Sequence, residues 1–379
     1  MVKHTSNSQK DSVMPSKSQA IIERGRHFST ISISNYRCFK EFTINSLERI
    51  NLIGGKNNIG KSTLLEALFL LLGATNVGLI LNINAFRGME NFQGEANSIR
   101  DVLWKHLFHN LDDQAAITIK SDLGIGKSIS VVLKQVPETS TLLSTTKSPQ
   151  SGNFDVPSHS LQLQYMNVTG KSYKVNLHVT NKGISIPPPS LEPLLPGIFV
   201  ASRRHFSLQE IAIRYGPLEE RGISSELVTA LKCIEPRLNR ISIIVSASGP
   251  MLYGDIGLGQ MVPFSVMGDG LGNMASILLA ISSTPGGIVL VDEIENGLHY
   301  STLSDVWKAI AETARRYDTQ VFATTHSFEC IEAANNAFKD NGQFDFRYHR
   351  LQKVNDTIEA VTFDESSLDT VIERGWEIR

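Results

Sequence analysis

Ten consecutive residues, Gly54-Gly55-Lys56-Asn57-Asn58-Ile59-Gly60-Lys61-Ser62-Thr63, are composed to hold a phosphate. From Gly55 they read G-x-x-x-x-G-K-S, a spacing in which glycines let successive backbone N–H groups turn inward around an anion. Lys61 would neutralise the β- and γ-phosphates of a nucleoside triphosphate, and the Ser62 hydroxyl would ligate Mg²⁺. Gly55, Asn57, Asn58, Gly60, Lys61, Ser62 and Thr63 are therefore the nucleotide-binding candidates. A second motif lies far downstream, where the apolar run Gly287-Ile288-Val289-Leu290-Val291 ends in Asp292-Glu293. Asp292 at such a strand end can hold Mg²⁺, and Glu293 can act as the base that activates water. A third run, Gln320-Val321-Phe322-Ala323-Thr324-Thr325, delivers His326, which by itself reads as an ordinary loop histidine. Beside the other two motifs it becomes a candidate γ-phosphate sensor, so Lys61, Glu293 and His326 form the candidate catalytic set.

These groups need strands that end together and a helix whose N-terminus faces the phosphates. Ile50-Asn51-Leu52-Ile53 predicts a buried strand before the loop, and Leu64 to Leu72 predicts an apolar helix after it. Upstream, Ile31 to Phe39 alternates like a strand and Phe42-Thr43-Ile44 like its hairpin partner, leading into the phosphate-loop strand. Ala116 to Ile119, Leu161 to Tyr165 and Tyr173 to Val179 alternate too, predicting antiparallel strands, with a mobile Ser/Thr-rich loop from Pro137 to Ser160. After Pro187-Pro188-Pro189 the period becomes helical, near Leu208 to Ile213 and Glu226 to Leu231.

The chain has 379 residues, is 41% hydrophobic and carries a net charge of −2. That supplies a sizeable core and no global cationic field, so nucleic-acid binding cannot be read from charge. Cys38, Cys233 and Cys330 stand far apart, which fits a reducing cytoplasm and predicts three small buried residues. No apolar run approaches the roughly 18 residues of a membrane span. Residues 1–27 are polar and read as a flexible tail. Residues 28–379 read as one ATPase domain, with a lobe at 28–200 carrying the phosphate loop and a β subdomain, a helical and β insert at 201–260, and a closing lobe at 261–379.

In this order the motifs resemble ATPases of the ATP-binding-cassette (ABC) type, in the group containing SMC, RecF and the overcoming-lysogenisation-defect (OLD) nucleases. Asn35-Tyr36-Arg37-Cys38-Phe39, the loop Gly55 to Ser62, Met267 to Asn273, Asp292-Glu293 and His326 carry the resemblance. Asp292-Glu293-Ile294-Glu295-Asn296-Gly297-Leu298-His299 and Ala323-Thr324-Thr325-His326-Ser327 are similar to stand-alone bacterial AAA15-type ATPases. The resemblance implies an α/β P-loop head, with a mixed sheet, an antiparallel β subdomain, a small helical lobe and no long coiled coil. It implies ATP and Mg²⁺ as cofactors and a homodimer, or a higher homo-oligomer, with head-to-tail sites. Gly268-Asp269-Gly270 would then cap the nucleotide of a partner; read without the family, the same run is a glycine-rich turn. Gly268 replaces the usual signature serine, and His299 stands where transporter cassettes place an aspartate.

Leu107-Phe108-His109-Asn110 would occupy the glutamine-loop position, without a glutamine. Arg37 could reach phosphates or serve as a solvated strand arginine, and Arg203 and Arg204 share that ambiguity. Too few residues follow His326 for the Toprim nuclease domain of OLD proteins, so the chain is expected to cut nothing itself. The implied function is a cytoplasmic ATPase switch of an antiphage defence system, controlling a separately encoded nuclease or toxic effector. A RecF- or SMC-like DNA-repair ATPase that binds nucleic acid and a non-hydrolysing ATP-stabilised scaffold are the alternatives.

Overall fold

The computed structural model describes residues 27–89, 96–124, 126–136, 159–180, 183–202, 208–246, 249–340, 342–375 and 378. The Arg203, Arg204 and most of the Pro137 to Ser160 expectations fall outside them, as does nearly all of the expected tail. The chain opens with strands β1 (Phe28–Tyr36) and β2 (Phe39–Ile44), which form an antiparallel hairpin. The turn falls at Arg37, whose φ of 49° breaks the single strand expected to run to Phe39. β3 (Ile50–Gly55) follows, but it joins another sheet.

Two sheets sandwich one helix. The antiparallel sheet has the order β2-β1-β4-β5-β6-β7-β8, with β4 (Ile117–Leu123), β5 (Lys127–Val136), β6 (His159–Met166), β7 (Ser172–Thr180) and β8 (Gly183–Ser185). The other runs β16-β15-β3-β14-β13-β9. In it β9 (Gly197–Val200), β13 (Ile288–Val291), β14 (Gln320–Thr324), β3 and β15 (Phe346–Val354) are parallel, while β16 (Thr357–Phe363) closes antiparallel. Helix α1 (Lys61–Leu72) lies between the sheets, touching β4 and β5 on one side and β3, β13, β14 and β9 on the other. That position explains its apolar circumference, since a helix buried all round needs no polar face. Leu64, Leu65, Ala67 and Leu68 are wholly buried.

Two short helices, α2 (Leu79–Phe86) and α3 (Ala96–Leu103), follow α1. The other face of the parallel sheet is covered by helices: α4 (Leu208–Glu220), α5 (Ser224–Leu231), α6 (Asp269–Ser282), α7 (Leu303–Arg316) and α8 (Phe328–Asp340), with α9 (Glu365–Glu373) at the end. A small antiparallel sheet, β10 (Arg240–Ser246), β11 (Gly249–Asp255) and β12 (Val262–Pro263), sits beside them. The longest of these helices is too short for a coiled-coil arm, and no described helix is long and apolar enough to cross a membrane. Of the three cysteines only Cys330 is buried; Cys38 and Cys233 are half-exposed because each lines a cleft.

Candidate nucleotide site

β3, β13 and β14 are neighbours or next neighbours in the parallel sheet, so their C-terminal ends open at one edge. The α1 N-terminus meets them there, a ready anion site of an open α/β sheet. A cleft of about 1180 Å³ occupies this edge, lined by Asn57, Asn58, Gly60, Lys61, Ser62, Thr63, Asp292, Glu293 and His326 among others. Residues distant in sequence thus converge on one cavity.

The loop glycines answer to packing as well as to ligand. A Cβ on Gly54 would collide with the Tyr348 ring, and one on Gly55 would stand 2.5 Å from the Leu351 carbonyl, because β15 lies alongside β3. Gly60, the N-cap of α1, has a φ of +105°, where a side chain would strain the backbone and press on Cys38 Sγ at 2.6 Å.

Lys61 is 4% exposed, and its Nζ donates to the carbonyls of Gly55 at 2.6 Å and Lys56 at 3.0 Å. Burial holds its ammonium below the usual lysine value, against the opposing pull of Glu295, Asp292 and Glu293. Ser62 Oγ donates to Asp292 Oδ1 at 2.9 Å, and Thr324 Oγ1 donates to the same oxygen at 2.6 Å. Ser202 Oγ reaches Asp292 Oδ2 at 3.4 Å. Thr324 Oγ1 also accepts from the Glu293 backbone N–H at 2.8 Å, so one hydroxyl fixes both acidic residues. Glu293 adopts a φ of 50°, and its carboxylate lies 3.4 Å from His326 Nε2. The His326 backbone N–H donates to Glu295 Oε1 at 2.7 Å.

The donor set suits a triphosphate with Mg²⁺: a buried cation at a helix N-terminus for phosphate oxygens, and a hydroxyl beside a carboxylate for a metal. Mg²⁺ usually needs only one or two protein carboxylates because phosphates and water complete its shell.

Two expectations resolve differently within one chain. Gly268, at a φ of +104°, caps the N-terminus of α6, and neither it nor Asp269 nor Gly270 lines the cleft. Phe108 and Asn110, from the expected glutamine-loop position, do line it, held by the His109 Nδ1 contact with the Arg37 carbonyl at 2.8 Å. Arg37 is not solvated: its side chain is 10% exposed, it pairs with Glu66 at 3.3 Å, and Nε and Nη2 make no hydrogen bond among the described residues.

Sequence reasoning missed Glu66, Arg87, Thr324 and Ser202. Glu66 left a signal, a lone acid inside an apolar helix; it is buried and bridges Arg37 to Arg87, whose Nε lies 2.7 Å away. Thr324, a hydroxyl ending an apolar strand, left a weaker one. Ser202 and Arg87 left none.

Residues 28–187 match the family model described as "AAA ATPase domain". Residues 185–332 match a second, described as "AAA domain, putative AbiEii toxin, Type IV TA system". An "ATP/GTP phosphatase" of Helicobacter pylori is 25% identical over 344 residues, covering 82% of this chain and 88% of that protein. An uncharacterised protein of Methanocaldococcus jannaschii is 34% identical over 149 residues, covering 36% of this chain and 62% of its own length. Among solved structures, the Smc head bound to the C-terminal winged-helix domain of ScpA is similar at 12% identity and a TM-score of 0.48, over 90% of this chain and 99% of that one. The SMC head domain from Thermotoga maritima gives 12% and 0.42 over 89% and 99%.

Proposed function

We propose that the chain, which matches the AAA ATPase domain model over residues 28–187 and is similar to an ATP/GTP phosphatase, is a Mg²⁺-ATP switch whose Glu293 activates water for hydrolysis. The observation that carries the reading is the convergence on Asp292: Ser62 from the phosphate loop and Thr324 from the strand before His326 both donate to it, with Glu293 beside it in the same cleft.

Bound Mg²⁺ would neutralise the charge that develops on the phosphates. Ser62 and Asp292 would hold it, and Lys61, which donates to the Gly55 and Lys56 carbonyls, would turn to the phosphate oxygens. Glu293 takes the proton of the attacking water, and His326, 3.4 Å from that carboxylate, orients it. Gly268, Asp269 and Gly270 stand outside the cleft of their own chain, which suits a site completed by a second copy packed head to tail. ATP then works as a clasp between two chains, and hydrolysis releases it. In the cell the switch would serve antiphage defence by controlling a separately encoded nuclease or toxic effector; the match to a putative toxin of a toxin–antitoxin system bears only on the broader idea of a toxin system.

The test is to measure phosphate release and mass together in Mg²⁺-ATP, with and without duplex DNA, for the wild type, Lys61→Ala and Glu293→Gln. Expected are Glu293-dependent turnover indifferent to DNA, no nucleotide binding in Lys61→Ala, and an ATP-locked assembly in Glu293→Gln. DNA stimulation with steep salt dependence would replace the reading by a repair ATPase. An ATP-bound oligomer that never turns over would replace it by a scaffold.

A further inference from the structure

A set of contacts outside the cleft ties the start of α6 to the carboxylate of Glu293. Asn296 Nδ2 donates to Glu293 Oε2 at 2.8 Å. The carbonyl of the same residue accepts from Asn273 Nδ2 at 2.8 Å, and Asn273, on α6, is only 9% exposed. Nearer the start of α6, Gly270 packs so closely on the Gly297 carbonyl that a Cβ would collide with it, while a Cβ on Gly297 would meet Gly270 N at 3.2 Å. The intervening turn is stiff: Asn296 N donates to Glu293 O at 3.0 Å, Leu298 N to Glu295 O at 3.0 Å, and Glu293 and Gly297 both hold positive φ, 50° and 73°.

These contacts couple the α6 N-terminus to the turn, and the turn carries the side chain that hydrogen-bonds the Glu293 carboxylate. We propose that Asn296 is a positioning residue, and that the Asn273–Asn296 pair reports to Glu293 whether the exposed start of α6, at Gly268 and Asp269, is engaged by a second copy of this chain. In a lone chain the carboxylate follows the free helix, and engagement locks the helix and with it the base. The inference rests on the proposed readings of Glu293 as the base and of a second copy packed head to tail, but the mechanical link rests on neither.

The experiment is a double-mutant cycle on Asn273→Ala and Asn296→Ala in the full chain, read in two ways. With ATP, Asn296→Ala should lower kcat by about tenfold to a hundredfold, as misplacement of a reacting group does, with nucleotide Kd held within about twofold. Asn273→Ala should lower kcat in the same manner, and the double variant should be no worse than Asn296→Ala alone, because both act through one link. Without nucleotide, amide hydrogen exchange at residues 294–298 should quicken in Asn273→Ala, while exchange in β13 and β14 stays as in the wild type. Independent, additive losses, or unchanged exchange at 294–298 in Asn273→Ala, would overturn the proposal. A merely structural role would instead speed exchange throughout the sheet. If the wild type hydrolyses nothing, the ATPase reading falls, and the exchange result still decides whether the link exists.

Discussion

Thr324 concentrates more of the site's order than its size suggests. Its hydroxyl donates to Asp292 Oδ1 and accepts from the Glu293 N–H, so the proposed metal ligand and the proposed base share one anchor. Thr324→Val keeps the shape but leaves a backbone N–H and a carboxylate oxygen short of a partner, at a cost of about 1–3 kcal/mol. The urea midpoint should fall accordingly, and kcat should fall more than ATP affinity, because Lys61 and the loop remain. A variant with wild-type kcat would mean that β13 and the Ser62 and Ser202 hydroxyls hold the acidic pair without Thr324. Glu66 makes the same kind of demand. It is the single buried carboxylate between Arg37 and Arg87, and removing it leaves two guanidinium groups together in the cleft wall. Glu66→Ala should destabilise the protein by several kcal/mol, about 3–5 as for other broken buried pairs, more than Arg87→Ala, since Arg87 is 38% exposed.

At the scale of elements, α1 and β15 hold the phosphate loop from either side. Leu68 faces the packing between the sheets at 0% exposure, so Leu68→Ala should cost about 2–5 kcal/mol, measured by urea unfolding. β15 contributes His349, which contacts Asn51 of β3 at 3.3 Å and Thr362 of β16 at 2.9 Å. Burial, with a smaller push from the Arg347 charge, lowers its pKa from 6.5 to about 3. In the unfolded chain the imidazole takes its proton near pH 6.5, whereas the folded chain refuses it until about pH 3. The unfolded state therefore binds more protons in that window, and stability falls as pH drops through 6.5. Between pH 6.5 and 5 the loss is about 2 kcal/mol. His349→Gln should flatten this slope in urea titrations at pH 7.5, 6 and 5, and parallel slopes in the two proteins would refute the assignment.

At the scale of the whole molecule, the separation of Gly268 to Gly270 from the cleft makes a prediction that no single chain can satisfy. If each site is built from the phosphate loop of one copy and the α6 start of another, Lys61→Ala and Gly268→Gln should each be inactive alone. Gly268 has open space around it, so the longer side chain obstructs a partner, while its φ of +104° strains the local backbone; an unchanged urea midpoint is the control that confines the damage to the start of α6. Mixed, the two variants should regain phosphate release, since a heterodimer with two-fold packing contains one intact composite site. Failure to regain activity, with mixed dimers demonstrated by mass, would place the α6 start outside the nucleotide chemistry.

The sequence by itself determined the phosphate loop, the acid pair at the end of β13 and the histidine after β14, because each is a local device: an apolar run sets the strand and the polar residues that end it fall at its tip. It determined β4, β6 and β7 for the same reason, since alternation is a property of neighbours, while β5, β8, β10, β11 and β16 were not read from it. It placed the first hairpin's turn three residues late, because the positive φ at Arg37 is imposed by the fold around it, where the Arg37 N–H donates to the Leu107 carbonyl and the side chain pairs with Glu66. Only the tertiary structure decided that α1 is buried on all sides, since a run of leucines does not say whether one sheet or two will cover it. It alone joined Ser62 to Asp292 across 230 positions, Thr324 to Asp292 across 32, and Asn273 to Asn296 across 23. Such partners leave no periodic trace along the chain, because a hydrogen bond between distant residues constrains one side chain at each end and nothing between them.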